Sequence, residues 1–304
     1  MRTNGARRSR GASLDKQIRE RKGAAPSERP RPQTRVIRVE PTRGFQWLRL
    51  RELWEYRELL YFLSWRDVKV RYKQAVLGAG WAIVQPLLTM VVLSLVFGRL
   101  ARIPSDGVPY PIFTFAALVP WTFFSTGITQ ASNSMLVSVD LVRKVYFPRI
   151  MMPMAAILPG LVDLAITFLV LMAMMPFYGI APTVRVVWLP LFVLLAFATA
   201  AGVGLWLSAL SARYRDVRFL VPFLTQLGLF ATPIAWSSSS VQEPLRTLLG
   251  LNPMSGVVEG FRWALLGTEP SPGLIGVSIG AALLLLLGGL VYFGRMERTF
   301  ADVI

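Results

Sequence analysis

Apolar runs close to twenty residues long recur along the chain, separated by short polar segments. That length matches a helix crossing a bilayer. The runs are continuous rather than alternating, so they predict helices in lipid and not the strands of a closed barrel. Six spans are expected, near 81–100, 111–137, 152–178, 187–210, 219–236 and 274–293. Pro120 and Gly127 fall inside the second, where neighbouring helices must satisfy the carbonyl that proline frees. Ahead of the spans, residues 45–73 interleave aromatics with charges. On a helical wheel Trp47, Leu50, Leu53, Trp54, Leu60 and Tyr61 share a face broken by Arg57, which predicts an amphipathic helix. It either lies in the membrane interface or packs on its own protein.

Residues 238–270 hold Pro244, Pro253 and Pro270, and their apolar stretches are too short and interrupted for two crossings. On a six-span topology this segment begins and ends outside. It is expected to form a re-entrant pair of short helices that closes the external end of a channel. Glu259 and Arg262 stand three residues apart and share a helical face, so they are candidates to pair with each other as part of an outer gate. The plainer alternative is an outer loop with a surface ion pair.

Composition agrees with this picture. Of the 304 residues, 54% are hydrophobic and only 16% are charged, against the usual quarter in soluble domains. Mean hydropathy is +0.49. The chain contains neither Cys nor His. Their absence removes disulfides, thiolate chemistry, histidine bases and the usual zinc sites. The acids are few and scattered, so no metal site is expected. No G-x-x-x-x-G-K-S/T loop is present, so ATP hydrolysis by that route is not expected in this chain. A membrane-bound glycosyltransferase or acyltransferase would need a cluster of acids or a histidine at the membrane face, and neither is visible.

The net charge is +16. Residues 1–44 carry thirteen Lys/Arg against four Asp/Glu, with few large apolar side chains. They read as a disordered basic tail. Beside a membrane domain such a tail marks the cytoplasmic side and meets anionic lipid, with nucleic-acid binding as the rival reading. The start lacks the short apolar core of a cleavable signal peptide. With the N-terminus inside, 28 of the 33 basic residues fall on the inner side, which predicts both termini in the cytoplasm. Asp163, within the third span, is expected near one end or bonded to a neighbouring helix. The inner segment 139–149 sets Leu141, Val142, Val145, Tyr146 and Phe147 among charges. That pattern suits a segment that docks a partner at the cytoplasmic mouth, or one that anchors in the interface.

Four motifs carry a resemblance. Arg71-Tyr-Lys-Gln-Ala-Val-Leu-Gly-Ala-Gly-Trp81 with Gln85-Pro86-Leu87 resembles the start of the membrane domain in ABC type-2 permeases that export polysaccharides such as O-antigen or teichoic acid. Arg143-Lys-Val-Tyr-Phe-Pro-Arg149 is similar to that family's first cytoplasmic coupling segment, and Arg213-Tyr-Arg-Asp-Val217 to its second cytoplasmic loop. Asn252-Pro-Met254 with Glu259-Gly-Phe-Arg262 is similar to its outer re-entrant segment. The resemblance runs from about residue 45 to 304.

It implies an all-α integral membrane permease of the bacterial inner membrane that works as a homodimer. Two separate ATP-binding-cassette subunits would bind ATP and Mg, leaving no cofactor in this chain. A lipid-linked glycan is the implied substrate, and a drug or small lipid is the alternative. Arg143, Lys144, Tyr146, Phe147, Arg149, Arg213, Arg215 and Asp216 are the implied partner-coupling residues. Trp121, Phe123, Phe124, Phe230 and Trp236 are candidates to line a glycan channel, set against the interfacial placement that Trp and Tyr favour in any membrane protein.

Overall fold

A computed structural model of the chain describes residues 54–73, 78–137, 147–214 and 216–297. The basic tail, the first part of the expected amphipathic helix, most of the 139–149 segment with Arg143, Lys144 and Tyr146, and Arg215 lie outside the described residues. Every element assigned among the described residues is helical. Five of the helical runs are long and apolar enough to cross a membrane: Gly80–Leu100, Tyr110–Val137, Met151–Tyr178, Val184–Arg213 and Pro272–Met296. They match five of the six expected spans to within a few residues.

Helix α1, Arg57–Lys73, precedes the spans. Leu59, Leu60 and Leu63 turn inward onto the protein, while Trp54, Tyr61, Phe62 and Trp65 stay exposed beside Arg66, Lys69 and Lys73. Leu60 and Tyr61, expected on one face, are therefore separated. Consecutive residues stand about 100° apart on a helix, and the buried seam passes through Leu60, Leu63, Ser64 and Asp67. The exposed aromatics among cations have the composition of a helix at the membrane interface.

The first span joins α2, Gly78–Leu93, to a π-helical turn, Ser94–Leu100. The second is α3, Tyr110–Val137. The third breaks at Leu158-Pro159 into α4, Met151–Ile157, and α5, Gly160–Met174, then ends in a 3-10 turn to Tyr178. The fourth is α6, Leu189–Arg213, entered through a 3-10 turn from Val184. Next comes α7, Val217–Ala231. The 238–270 segment contains α8, Leu245–Leu248, and α9, Pro253–Leu266. The last span is α10, Pro272–Met296.

At the centre α3 packs against α2, α4, α5, α6, α7 and α9. In lipid no hydrophobic force draws apolar helices together, so small side chains that let backbones approach decide the contacts. Helix α6 supplies two such faces. Ala200, Gly204 and Ser208 meet Gly127, Ala131 and Ser134 of α3. Gly202 meets α10, where an added Cβ would stand 2.7 Å from the Leu286 nitrogen and 2.8 Å from the Leu285 carbonyl carbon. Helix α6 is thus clamped between α3 and α10 on opposite sides.

The expected fifth span, 219–236, differs from the rest. Helix α7 has 15 residues, about 22 Å at 1.5 Å per residue, short of a hydrocarbon layer about 30 Å thick. The chain leaves the helix at Thr232 and runs on without regular structure to Ser237. Thr232, Ile234 and Ala235 are nevertheless buried. The segment expected to be re-entrant follows, and it holds two helical limbs of unequal length. The first is only α8 with a 3-10 turn at Leu249–Leu251, and the second is α9, nearly all of it buried.

Candidate translocation path and outer seal

Helix α3 carries no charged residue, yet it is polar along one face. Thr122, Ser125, Thr126, Thr129 and Asn133 recur every three or four residues and are half-buried, with Gln130 exposed beside them. At 100° per residue they lie opposite Gly127 and Ala131, the positions packed on α6. Trp121 packs on Gly228 of α7 and Phe123 on Gly160 of α5, so the polar stripe opens between those two contacts. Thr122 donates to the Leu118 carbonyl at 2.8 Å, Thr129 to the Ser125 carbonyl at 2.7 Å, and the Asn133 amide to the Thr129 carbonyl at 3.0 Å. Each hydroxyl proton is held by its own helix, which leaves oxygen lone pairs facing outward as acceptors. The sequence signal was present as a three- and four-residue spacing of Ser, Thr and Asn, but the apolar average of the span hides it.

The aromatic candidates divide. Trp121, Phe123 and Phe124 are buried core residues, with Trp121 and Phe124 in a tilted pair 5.4 Å apart. The Trp121 ring fills the space left by Gly228 and the Phe123 ring that left by Gly160, so neither faces an opening within this protomer. Phe230 is exposed and lies 6.5 Å from Phe97. Trp236 is half-buried and donates its indole N–H to the Phe230 carbonyl at 3.2 Å. Sequence reasoning missed Phe219 and Phe223, which are exposed on the same face of α7 as Phe230.

At the opposite end, Arg262 is buried and does not pair with Glu259. Its guanidinium donates to the carbonyls of Pro233 at 2.6 Å, Ile234 at 2.8 Å and Phe113 at 3.2 Å, and it lies 3.4 Å from the centre of the Phe113 ring. The Tyr110 hydroxyl donates to Ala235, and the Asn252 amide to the Thr232 hydroxyl at 2.8 Å. The Pro233, Ile234 and Ala235 carbonyls among these are backbone groups left without helical partners where α7 stops. Non-helical backbone at membrane depth persists only where protein satisfies it, and a planar guanidinium with five donors can serve several carbonyls together.

Glu259, also buried, makes its salt bridge with Arg246 at 3.0 Å and accepts from Ser238 and from the Ser271 N–H at 3.1 Å. Asp106 accepts from Ser237 and Ser239, which ties the 101–109 loop to the same strip of chain. The pairing expected between Glu259 and Arg262 fails because each has nearer partners from other elements. One face of α9 joins both residues to the strip of chain 233–238.

The candidates expected on the inner side also separate. Phe147 is buried beside Leu63, Met135 and Met151, so its ring belongs to the protein's own core rather than to an exposed docking surface. Arg149 donates its backbone N–H to the Glu297 carboxylate at 3.1 Å and its guanidinium to the Glu297 carbonyl at 3.0 Å. Arg213 and Asp216 are exposed at the α6–α7 turn, with Arg213 5.3 Å from the Tyr214 ring. Asp163 accepts from Arg71 and Tyr72, which ties the third span to α1 as expected for a structural carboxylate. Burial, with the Asp163 hydrogen bond in support, pushes the Tyr72 phenol well up, so it stays a donor.

Residues 58–266 match the sequence model of the ABC-2 type transporter membrane domain. The chain belongs to the ABC-2 type transporter family. Its relatives include the O-antigen export system permease protein RfbA of Myxococcus xanthus, 32% identical over 84% of this chain and 98% of that protein. An O-antigen export system permease protein RfbA of Klebsiella pneumoniae is 25% identical over 81% of this chain and 95% of its own length. The polysialic acid transport protein KpsM of Escherichia coli is 23% identical over 69% of this chain. ABC-2 membrane domains are transport subunits, so the chain is a membrane-spanning transport component and not an enzyme.

Proposed function

We propose that the chain is the permease subunit of an ATP-driven exporter that moves a lipid-linked, O-antigen-like polysaccharide across the bacterial inner membrane. The similarity to O-antigen export permeases over nearly their whole length carries this reading. The hydroxyl and amide stripe of α3 supports it, because a glycan presents hydroxyl donors in series and the stripe presents acceptors in series. The stripe lies open on the single protomer, and a second copy is the natural wall to close it, which gives a homodimer. Two ATP-binding-cassette subunits, holding ATP and Mg, dock at the inner face. The exposed Arg213 and Asp216 serve that contact, while Phe147 and Arg149 stiffen the protein behind it. Both termini are cytoplasmic, and α7 with its extended continuation makes the fifth of six crossings.

Deletion of the gene tests the reading. Lipid-linked glycan should accumulate at the inner face of the membrane and disappear from the cell surface, and the intact gene should restore both. Normal surface glycan in the deletion strain would refute the assignment.

A further inference from the structure

The composition of the path points to the kind of glycan it carries. The inference rests on the export reading above and narrows its substrate. Helices α2 and α3 hold no Asp, Glu, Lys or Arg over Gly78–Leu93 and Tyr110–Val137, and the π-helical end of the first span adds one cation, Arg99, in its last turn. Helix α7 has only Arg218, in its first turn. Asp163 of α5 is engaged by Arg71 and Tyr72. At the outer end Glu259 is paired with Arg246, and the Arg262 guanidinium is committed to backbone carbonyls. What faces the opening is hydroxyl and amide: Thr122, Ser125, Thr126, Thr129 and Asn133. A second copy of the same chain adds walls of the same composition.

Charge in a narrow path at membrane depth is poorly screened and costly unless opposite charge lies close by. Pores that pass anions line themselves with Lys or Arg. A polymer bearing a carboxylate on each repeat would find no charged side chain along the α3 stripe to compensate it. A polymer of uncharged sugars meets acceptors matched to its hydroxyls. We infer that the path is selective for uncharged polysaccharide and discriminates against polyanionic chains.

The test uses the full chain with its ATP-binding subunit in a host that lacks its own exporter. The host makes either a neutral hexose polymer or the same polymer carrying a uronic acid in each repeat, on one lipid carrier. Surface export of the neutral form should exceed that of the acidic form by about tenfold or more, a ratio set by poorly compensated charge. Thr129→Lys, which puts an ammonium into the stripe, should raise the acidic-to-neutral ratio at equal protein level. Export of both polymers by the unaltered protein within about threefold of each other would overturn the inference, since uncompensated charge at this depth predicts a larger gap. Preferential export of the acidic form would overturn it too. Export of neither, with the protein present in the membrane, would instead overturn the glycan reading itself and the inference with it. If Thr129→Lys fails to reach the membrane, the comparison on the unaltered protein decides alone.

Discussion

Replacing Arg262 by Met should loosen the strip 232–236 that continues from α7. Met keeps the length and the apolar stem and removes every donor. Three well-formed bonds are lost, to Pro233 at 2.6 Å, Ile234 at 2.8 Å and Phe113 at 3.2 Å. Hydrogen bonds to a charged group contribute about 1.5–3 kcal/mol each. Two effects reduce the sum. Removing the guanidinium also removes the cost of burying it, and water entering from the outer face takes over part of its role. A net local loss of about 3 kcal/mol is expected, which corresponds to about a hundredfold rise in the open population.

Because the chain has no cysteine, Ile234→Cys provides a single thiol at a buried site. In membranes its labelling rate with an impermeant thiol reagent should rise about a hundredfold when Arg262→Met is added, following the same arithmetic. Arg262→Lys should fall between the two, since one ammonium cannot span carbonyls that a planar fork reaches together. A rise of less than about threefold, equivalent to well under 1 kcal/mol, would show that the strip is held by Tyr110 and Asn252 without Arg262.

Two further perturbations test the packing and the α1 tie. Gly202→Ala should destabilise the protein by about 1–3 kcal/mol through collision with the α10 backbone, whereas Gly276→Ala, which has open space around it, should not; thermal unfolding of both in detergent would expose an error if they behave alike. Asp163→Asn should loosen α1 by about 1–3 kcal/mol as its bonds to Arg71 and Tyr72 weaken. The readout is disulfide cross-linking between Ser64→Cys and Ala155→Cys, where the native serine hydroxyl lies 3.4 Å from the Ala155 carbonyl; unchanged cross-linking would place the tie elsewhere.

What the sequence made legible follows from how far each signal reaches. Crossing helices are local, set by about twenty consecutive apolar residues, and five of the six emerged close to their expected ends. The fifth carried the same hydropathy but broke at Thr232, because its C-terminal part is stabilised by side chains from elsewhere in the chain: Tyr110, Asn252 and Arg262. No window centred on the span contains them. The same nonlocality explains Glu259 and Arg262. Spacing placed them correctly on one face of α9, yet spacing within a helix cannot weigh a partner 13 residues away, Arg246, against one at three. The burial of the aromatic residues has a related reason. Trp121 and Phe123 look like channel residues by type, but Gly228 and Gly160 on facing helices make room for their rings. The polar stripe of α3 is the converse case. Its spacing is local and was readable in principle, but hydropathy averages Thr and Ser into an apolar window. Their importance emerges only when Gly127 and Ala131 show which side of the helix faces the core. In a membrane protein the small residues thus tell which face is packed against the protein, and here they leave the hydroxyl and amide stripe on the opposite side of α3.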